Sequence, residues 1–314
     1  MKVSVIMPAY NRGYIIAEAL HSVFAQTFQD FELIVVDDGS KDDTAQVVSR
    51  FSDHRLRYIR HKENRGCSAA YNTGLREATG GLIAFLDSDD LWKPEMLAKG
   101  VDFLDRHSEI DAVFTDLEKQ VGSQMIPSFM RESPCMVALL SGRQWPKEAT
   151  FAQREMYLCL LQEVPVKPSA LVLRRKALDL LGPLFIESWL SGSDWELLLR
   201  FSKCFRFGYI DEPLAVLRVQ ADATHLIHAI ADKTCIRGML REEFRHAEDT
   251  AIRGAAKTGY RDIVRHLSWE YLRRGQKLNA SVVLARGFLT TWQAGLLARS
   301  VFALARKNSS PNPR

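Results

Sequence analysis

Two short acidic clusters, Asp37-Asp38-Gly39-Ser40 and Asp87-Ser88-Asp89-Asp90, hold the most specific chemistry in this chain. Carboxylates crowded this closely raise one another's energy unless something positive sits among them. A divalent cation carrying a phosphorylated substrate meets that need, because hard cations take oxygen ligands and leave positions for phosphate. Residues i and i+2 of an extended segment point the same way, so Asp87 and Asp89 can face one site.

The elements that would hold these clusters are legible around them. Leu33-Ile34-Val35-Val36 precedes the first and Leu82-Ile83-Ala84-Phe85-Leu86 the second. Apolar runs of this length read as buried parallel strands. Ligands bind at the carboxyl ends of such strands. The first third alternates accordingly. A strand over 2–7 stops at Pro8 and a helix covers about Tyr14–Gln26. Strands follow at 31–37 and Leu56–Arg60, with Asp42 or Asp43 capping the helix between them. Ser68 caps a helix that ends near Gly80-Gly81. Pro94 opens another helix, and Asp111–Asp116 is a strand. This order predicts an α/β fold with a doubly wound, mostly parallel sheet. Residues 118–168 read as loops and short helices. A strand at 170–174 and a helix at 194–202 come next. Phe205–Ile210 and Leu214–Val219 read as paired strands around Asp211-Glu212-Pro213, and the chain is helical from about Thr224 onward.

Bulk properties narrow the class. The chain has 314 residues, 46% hydrophobic and 25% charged, which is ordinary globular composition. A net charge of +4 does not point to nucleic acid. Five cysteines without a C-x-x-C pair favour reduced thiols in the cytoplasm. The N-terminus runs into Pro8 with no apolar core for a signal peptide, and no stretch reads as a membrane span. Residues 282–306 are rich in apolar groups interrupted by Arg286 and Arg299. They fit a helix packed into the protein or a homo-oligomer, or a helix docked on a membrane surface.

Several motifs in register add a resemblance. Pro8-Ala9-Tyr10-Asn11, Val36-Asp37-Asp38-Gly39-Ser40, Asn64-Arg65-Gly66, Asn72-Thr73-Gly74 and Phe85-Leu86-Asp87-Ser88-Asp89-Asp90 resemble those of family 2 glycosyltransferases with a GT-A fold. The agreement covers about the first 115 residues and continues more weakly to about 220. It implies three regions: a nucleotide-sugar-binding half over 1–115, an acceptor-side half over 116–222, and a helical region over 223–314. It implies that Pro8, Tyr10, Asn11, Asp38, Arg65, Asp87, Ser88 and Arg218 line the nucleotide-sugar site. Tyr10 would stack on a base, a contact of about 1–3 kcal/mol. Asp38 would accept from uracil or ribose, and Arg65 would reach the diphosphate beside a helix N-terminus. Asp89 would bind Mn2+ or Mg2+ with help from Asp87, and Asp43 would cap a helix. Asp194 would be the general base that takes a proton from an acceptor hydroxyl.

The implied activity is inverting transfer from a UDP sugar to a glycan or lipid-linked acceptor, in polysaccharide or lipopolysaccharide synthesis. The chain departs from the family at Tyr71, where arginine is common, at Ser193, and at Gln220, where histidine is common. Two other readings fit parts of the pattern. One is a sugar nucleotidyltransferase, although the loop after the first strand is a poor glycine-rich loop. The other is a non-catalytic nucleotide-sugar binding module. The implied partners are the donor and the acceptor, with membrane contact peripheral on the inner face.

Overall fold

The computed structural model describes residues 2–140, 145–189, 192–219 and 223–291. The chain divides into two compact units, Met1–Leu160 with Val164–Ala221, and Leu161–Glu163 with Asp222–Arg314.

In the first unit the elements run in order as follows. They are β1 (Val3–Ala9), α1 (Ile16–Phe24), β2 (Phe31–Asp37), α2 (Thr44–Val48), β3 (Leu56–Arg60), α3 (Cys67–Glu77), β4 (Leu82–Phe85), β5 (Leu91–Trp92) and α4 (Met96–Arg106). Then come β6 (Ala112–Val121), β7 (Gln124–Ile126), α5 (Pro134–Leu140), β8 (Glu148–Phe151), α6 (Gln153–Leu160), β9 (Leu171–Arg174), α7 (Arg175–Leu181), α8 (Ser193–Cys204) and β10 (Phe207–Val219). The strands form one sheet in the order β3-β2-β1-β4-β9-β6-β10-β5, with β7 on β6 and β8 on β10. The block β3-β2-β1-β4 is parallel, and β6 pairs parallel with β10. β9 lies antiparallel between β4 and β6.

Every residue of β1 and β2 is buried, as a sheet covered on both faces requires. Side chains alternate across the strand. Val3, Val5 and Met7 pack with Ile16 and Leu20 of α1. Ile6 faces the other way, onto α3. Gly74 allows that approach, because a Cβ there would sit 2.4 Å from Ile6 Cγ2.

Residues 118–168, read as loops and short helices, also hold the strands β7 and β8, which add to the sheet through β6 and β10, and three further expectations change. Pro8 does not end β1, which continues to Ala9 in register with Asp37. Ile6 O accepts from Leu86 N, so Pro8, two residues on, turns its missing N–H toward the same neighbour. There β4 has already ended at Phe85, and no ladder bond is lost. Phe205–Ile210 and Leu214–Val219 are not a hairpin: β10 is one long strand with register shifts around Pro213. A proline inside a strand is accommodated at such an irregularity. Cys135 and Cys159 form a disulfide joining α5 to α6, against the reading of reduced thiols. Their Cα atoms are 5.4 Å apart, within disulfide range, whereas their separation of 24 residues carries no sign of that proximity.

The second unit contains α9 (Ala223–His246), α10 (Thr250–Arg273) and α11 (Lys277–Thr291). α10 packs against both α9 and α11. The Asp249 side chain caps α10 by accepting from Ala251 N and Ile252 N. Leu240, Ala256, Val264, Leu267 and Leu284 are buried. No helix among the described residues is long and apolar enough to cross a membrane. Residues 292–306 of the apolar stretch, and Gln220, lie outside the described residues.

The tight seat of α3 on β1 yields a stability test. Gly74→Ala forces a methyl into fully buried, β-branched Ile6 and should cost about 1–3 kcal/mol. Urea unfolding measures it; unchanged stability would mean that α3 has room to move.

Candidate active site

β1, β2 and β4 are parallel neighbours, so the residues following each emerge at one rim. Tyr10–Arg12 come from β1, Asp38 from β2 and Asp87–Asp90 from β4.

Asp37 and Asp38 are buried, and the chain itself engages both. Asp37 Oδ1 accepts from Ser40 N at 2.7 Å, and Oδ2 takes the Tyr58 hydroxyl. Asp38 Oδ1 lies 2.7 Å from His61 Nδ1 and accepts from Arg65 N at 2.9 Å. Its Oδ2 accepts from Gly66 N at 2.7 Å. Gly66, at φ +93°, is the residue at which the chain turns into α3. Asp38 thereby holds the turn into α3, while Ser68, which the sequence gave as its cap, lies inside a helix whose N-cap Gly66 has no side-chain cap. Any ligand contact by Asp38 has to share oxygens already holding this turn.

The first two loops are laced together. Asn11, at φ +53°, donates its backbone N–H to Ser40 Oγ and accepts from Lys41 N at 2.8 Å through Oδ1. Asp42 accepts from Gly13 N at 2.9 Å and Thr44 N at 3.0 Å. Asp43 makes no side-chain cap, so the cap assigned to it belongs to Asp42. Pro8 is buried within β1, and Tyr10 is half-buried.

The second cluster divides by burial. Asp87 and Asp89 are half-buried, while Ser88 and Asp90 are buried. Tyr71 Oη donates to Asp87 Oδ1 at 2.5 Å. The Tyr71 ring is held against Phe185 (centroids 4.7 Å, nearly parallel) and edge-on to Phe85 (5.2 Å). Arg12 Nη2 lies 3.6 Å from Asp89 Oδ2. Desolvation, and then the charge of Asp89, push Asp87 up to about 7; Asp194 adds to this, while the Tyr71 bond and Arg12 oppose it. Asp90 is also pushed well up by burial and by Asp87 and Asp89.

Asp194 is the second residue of α8, which starts after Gly192 at φ +80° without a side-chain cap. Its carboxylate accepts no hydrogen bond among the described residues. Its charge reaches Asp87 and Tyr71. Otherwise it lies among apolar side chains, including Phe85, Leu171, Phe185 and Leu198. Cys67, the first residue of α3, marks where the acids converge. Cys67 is exposed, but desolvation by the protein packed around its thiol, and then the charges of Asp87, Asp194, Asp38 and Asp89, still push the thiol well above the usual range.

Two predicted cations are engaged elsewhere. Arg65 pairs with Glu187 at 3.0 Å on the segment leading to α8. Asn72 clasps that segment, exchanging bonds with the Phe185 backbone at 2.8 and 3.0 Å. Arg218 is 9% exposed. Its Nε donates to the Asp89 carbonyl and its Nη1 to Glu18 at 2.5 Å. The sequence reading passed over Arg12, Tyr71 and Glu187 as contributors. Arg12 stands beside a motif residue and was within reach; Glu187 carries no local signal.

The donor set suits a small hard cation. Asp87 and Asp89 offer oxygens only, and their mutual repulsion is what such an ion relieves. Among the described residues no group of three or more His, Cys, Asp or Glu is arranged to hold a metal. Two carboxylates are nonetheless what magnesium or manganese uses when phosphates and waters complete the shell.

The comparisons with known proteins agree with this geometry. The profile described as Glycosyl transferase family 2 matches residues 4–180. An uncharacterized glycosyltransferase of Nostoc sp. is 28% identical over 240 residues, 74% of this chain and 69% of that protein. The UDP-Glc:alpha-D-GlcNAc-diphosphoundecaprenol beta-1,3-glucosyltransferase WfgD of Escherichia coli is 46% identical over 90 residues, 29% of this chain and 36% of that protein. Across curated relatives the matched stretch spans from 13% to 69% of the relative's own length. Among solved structures, S. aureus TarS 1-349 in complex with UDP-GlcNAc superposes with TM-score 0.62 at 18% identity, covering 96% of this chain and 92% of that one. The mannosyltransferase PcManGT of Pyrobaculum calidifontis, in complex with GDP-Man and Mn2+, gives 0.60 at 21%, covering 97% and 81%. At these identities the structures establish a shared fold, the GT-A type.

The raised Asp87 gives a pH signature in metal-free protein. Its folded value of about 7 stands above the ordinary 3.8. Ionisation is thus disfavoured in the fold, and the destabilisation is full above about pH 7 and fades as pH falls toward the unfolded value. Asp87→Asn should raise Tm at about pH 8, with the gain shrinking toward about pH 5. Calorimetry checks this; an equal difference at both pH values would refute it.

Proposed function

The chain belongs to glycosyl transferase family 2, and we propose on that premise that it moves a sugar from a UDP sugar to a hydroxyl of a glycan or lipid-linked acceptor, inverting the anomeric carbon. The observation that carries this reading is the placing of three carboxylates at one rim. Asp87 and Asp89 stand half-exposed at the sheet edge, and Asp194 meets their field from α8 with no hydrogen bond to its carboxylate among the described residues.

In this reading residues 1–115 form the donor half and 116–222 the acceptor half. Pro8 and Ser88 shape the wall of the donor site. Tyr10 stacks on the base, and the Asn11 amide nitrogen faces it. Asp38 holds the turn into α3, whose N-terminus favours a diphosphate. Arg65 is close to that turn and exchanges its Glu187 partner for phosphate. Arg218 supports the metal-binding turn from behind, so its role toward the diphosphate is indirect. Asp89 and Asp87 would hold manganese or magnesium, which when bound offsets charge on the departing diphosphate. Asp194 takes the acceptor's proton as its oxygen attacks from the face opposite the leaving group, through an oxocarbenium-like state.

The complexes of TarS with UDP-GlcNAc and of PcManGT with Mn2+ support the donor and metal classes. WfgD, whose name carries a UDP-Glc donor and a diphosphoundecaprenol acceptor, supports a lipid-linked one. For such an acceptor the same reading places the chain in the cytoplasm, docked peripherally through 282–306. Within that stretch Val282 and Leu289 stand exposed on α11.

Two variants separate the roles. Wild-type protein should show a manganese-dependent thermal shift with a UDP sugar, and Asp89→Ala should lose it; equal shifts would refute the metal assignment. Asp194→Asn should keep donor affinity and lose transfer by about 100-fold or more. Unchanged turnover removes Asp194 as the base.

A further inference from the structure

The acidic turn after β4 is fixed from behind by groups far away in sequence. Asp90 is 1% exposed, and both its oxygens are committed. Oδ2 accepts from Ser169 Oγ at 2.6 Å, and Oδ1 accepts from the Arg218 backbone N–H at 3.0 Å. The same Ser169 oxygen accepts from Asp87 N at 3.1 Å. Ser169 thus touches both ends of Asp87-Ser88-Asp89-Asp90. Its carbonyl is held in turn by Trp92 Nε1 at 2.6 Å. Arg218 closes the far side, with its Nε on the Asp89 carbonyl and its Nη1 on Glu18 of α1.

We propose that Ser169 is a positioning residue that, through Asp90 and with Arg218, sets the direction in which Asp87 and Asp89 present their carboxylates. The division of labour follows from burial. A buried, doubly bonded Asp90 cannot ligate anything without abandoning Ser169 or Arg218. It works as the peg of the turn, while its half-exposed neighbours face the site. A hydroxyl is the one small group that can donate to Asp90 and accept from Asp87 N together. Serine at 169 is therefore required chemically as well as for size. Ser169 itself touches no substrate.

The consequence for ligand binding rests on the reading of Asp87 and Asp89 as the metal-holding pair. The experiment is arranged so that the two can fail separately. Full-length wild type, Ser169→Ala and Asp90→Asn are compared by amide hydrogen exchange of the peptide spanning 86–91, without metal or nucleotide. They are then compared by UDP titration calorimetry with and without manganese. We expect faster exchange at 86–91 in both variants. We also expect manganese-dependent UDP affinity to weaken by about 10-fold or more, as for lost support of a metal ligand, with metal-free UDP binding unchanged. A residue that merely stabilises the fold would lower Tm and leave the manganese dependence alone. Unchanged exchange at 86–91 in Ser169→Ala overturns the proposal, as does faster exchange with unaltered manganese-dependent affinity. Wild type without manganese-dependent UDP binding overturns the assigned function instead, and the exchange comparison still decides whether Ser169 holds the turn.

Discussion

Like charges at the carboxyl rim of the sheet set the terms for everything around them. Asp87, Asp89 and Asp90 fill three of four consecutive positions, and the charge of Asp194 reaches Asp87 from α8. Each ionised carboxylate raises the cost of ionising the next. The fold answers differently at each place. Asp90 is withdrawn from solvent and given two donors. Asp89 is set near Arg12. Asp87 receives a single phenolic hydrogen bond, too little to cancel its burial and the charge of Asp89. Asp194 receives nothing among the described residues. What remains is a group of incompletely compensated carboxylates, the kind of oxygen set that the proposed cation would neutralise.

That arrangement is held together by aromatic packing as much as by polar bonds. Phe85 precedes Asp87 by two residues, Tyr71 comes from α3, and Phe185 lies on the segment entering α8. Their rings meet at centroid distances of 4.7, 5.2 and 5.7 Å. Such contacts add about 0.5–1.5 kcal/mol each beyond area burial. More to the point, they fix the segment entering α8, which bears Asp194, relative to the end of β4, which Asp87 follows. The Asn72 clasp and the Arg65–Glu187 pair reinforce the same junction. The proposed base and the proposed metal-binding turn, more than a hundred residues apart, are thereby referenced to one rigid corner, as precise orientation of reacting groups demands.

What could be read from the sequence followed local periodicity. The apolar runs at 33–36 and 82–86, and the acids that end them, placed β2, β4 and the site rim, because a buried parallel strand and its carboxyl end are both local patterns. Asp194 was singled out by the resemblance, since an Asp ahead of Leu197-Leu198 reads locally as no more than a helix N-cap. Non-local pairing was invisible. Nothing in Leu171-Val172-Leu173 says that it runs antiparallel between β4 and β6. Nothing around Pro213 says that the strand continues past it. Ser169 looks like any serine after a proline, and its partners lie 79 and 82 positions away. Cys135 and Cys159 became a pair only once α5 and α6 were packed. The residues that hold ligand-facing groups in place are the ones whose signal lives in three dimensions.

Tyr71 shows why a departure from a family pattern is weak ground for inferring lost activity. An arginine at this position would bring a positive charge to Asp87 and compensate part of its repulsion with Asp89. A phenol donates one hydrogen bond and brings no charge. It also supplies a flat apolar ring that stacks on Phe185, which a guanidinium could match only with its charge retained. The exchange therefore trades fixed electrostatic compensation for packing, and leaves the repulsion between Asp87 and Asp89 less compensated. A degenerate site would have no reason to keep the hydroxyl aimed 2.5 Å from a carboxylate or the ring buried between two phenylalanines. The hydroxyl orients Asp87 without supplying the compensating charge, which fits the proposal of a site completed by a cation and a phosphate.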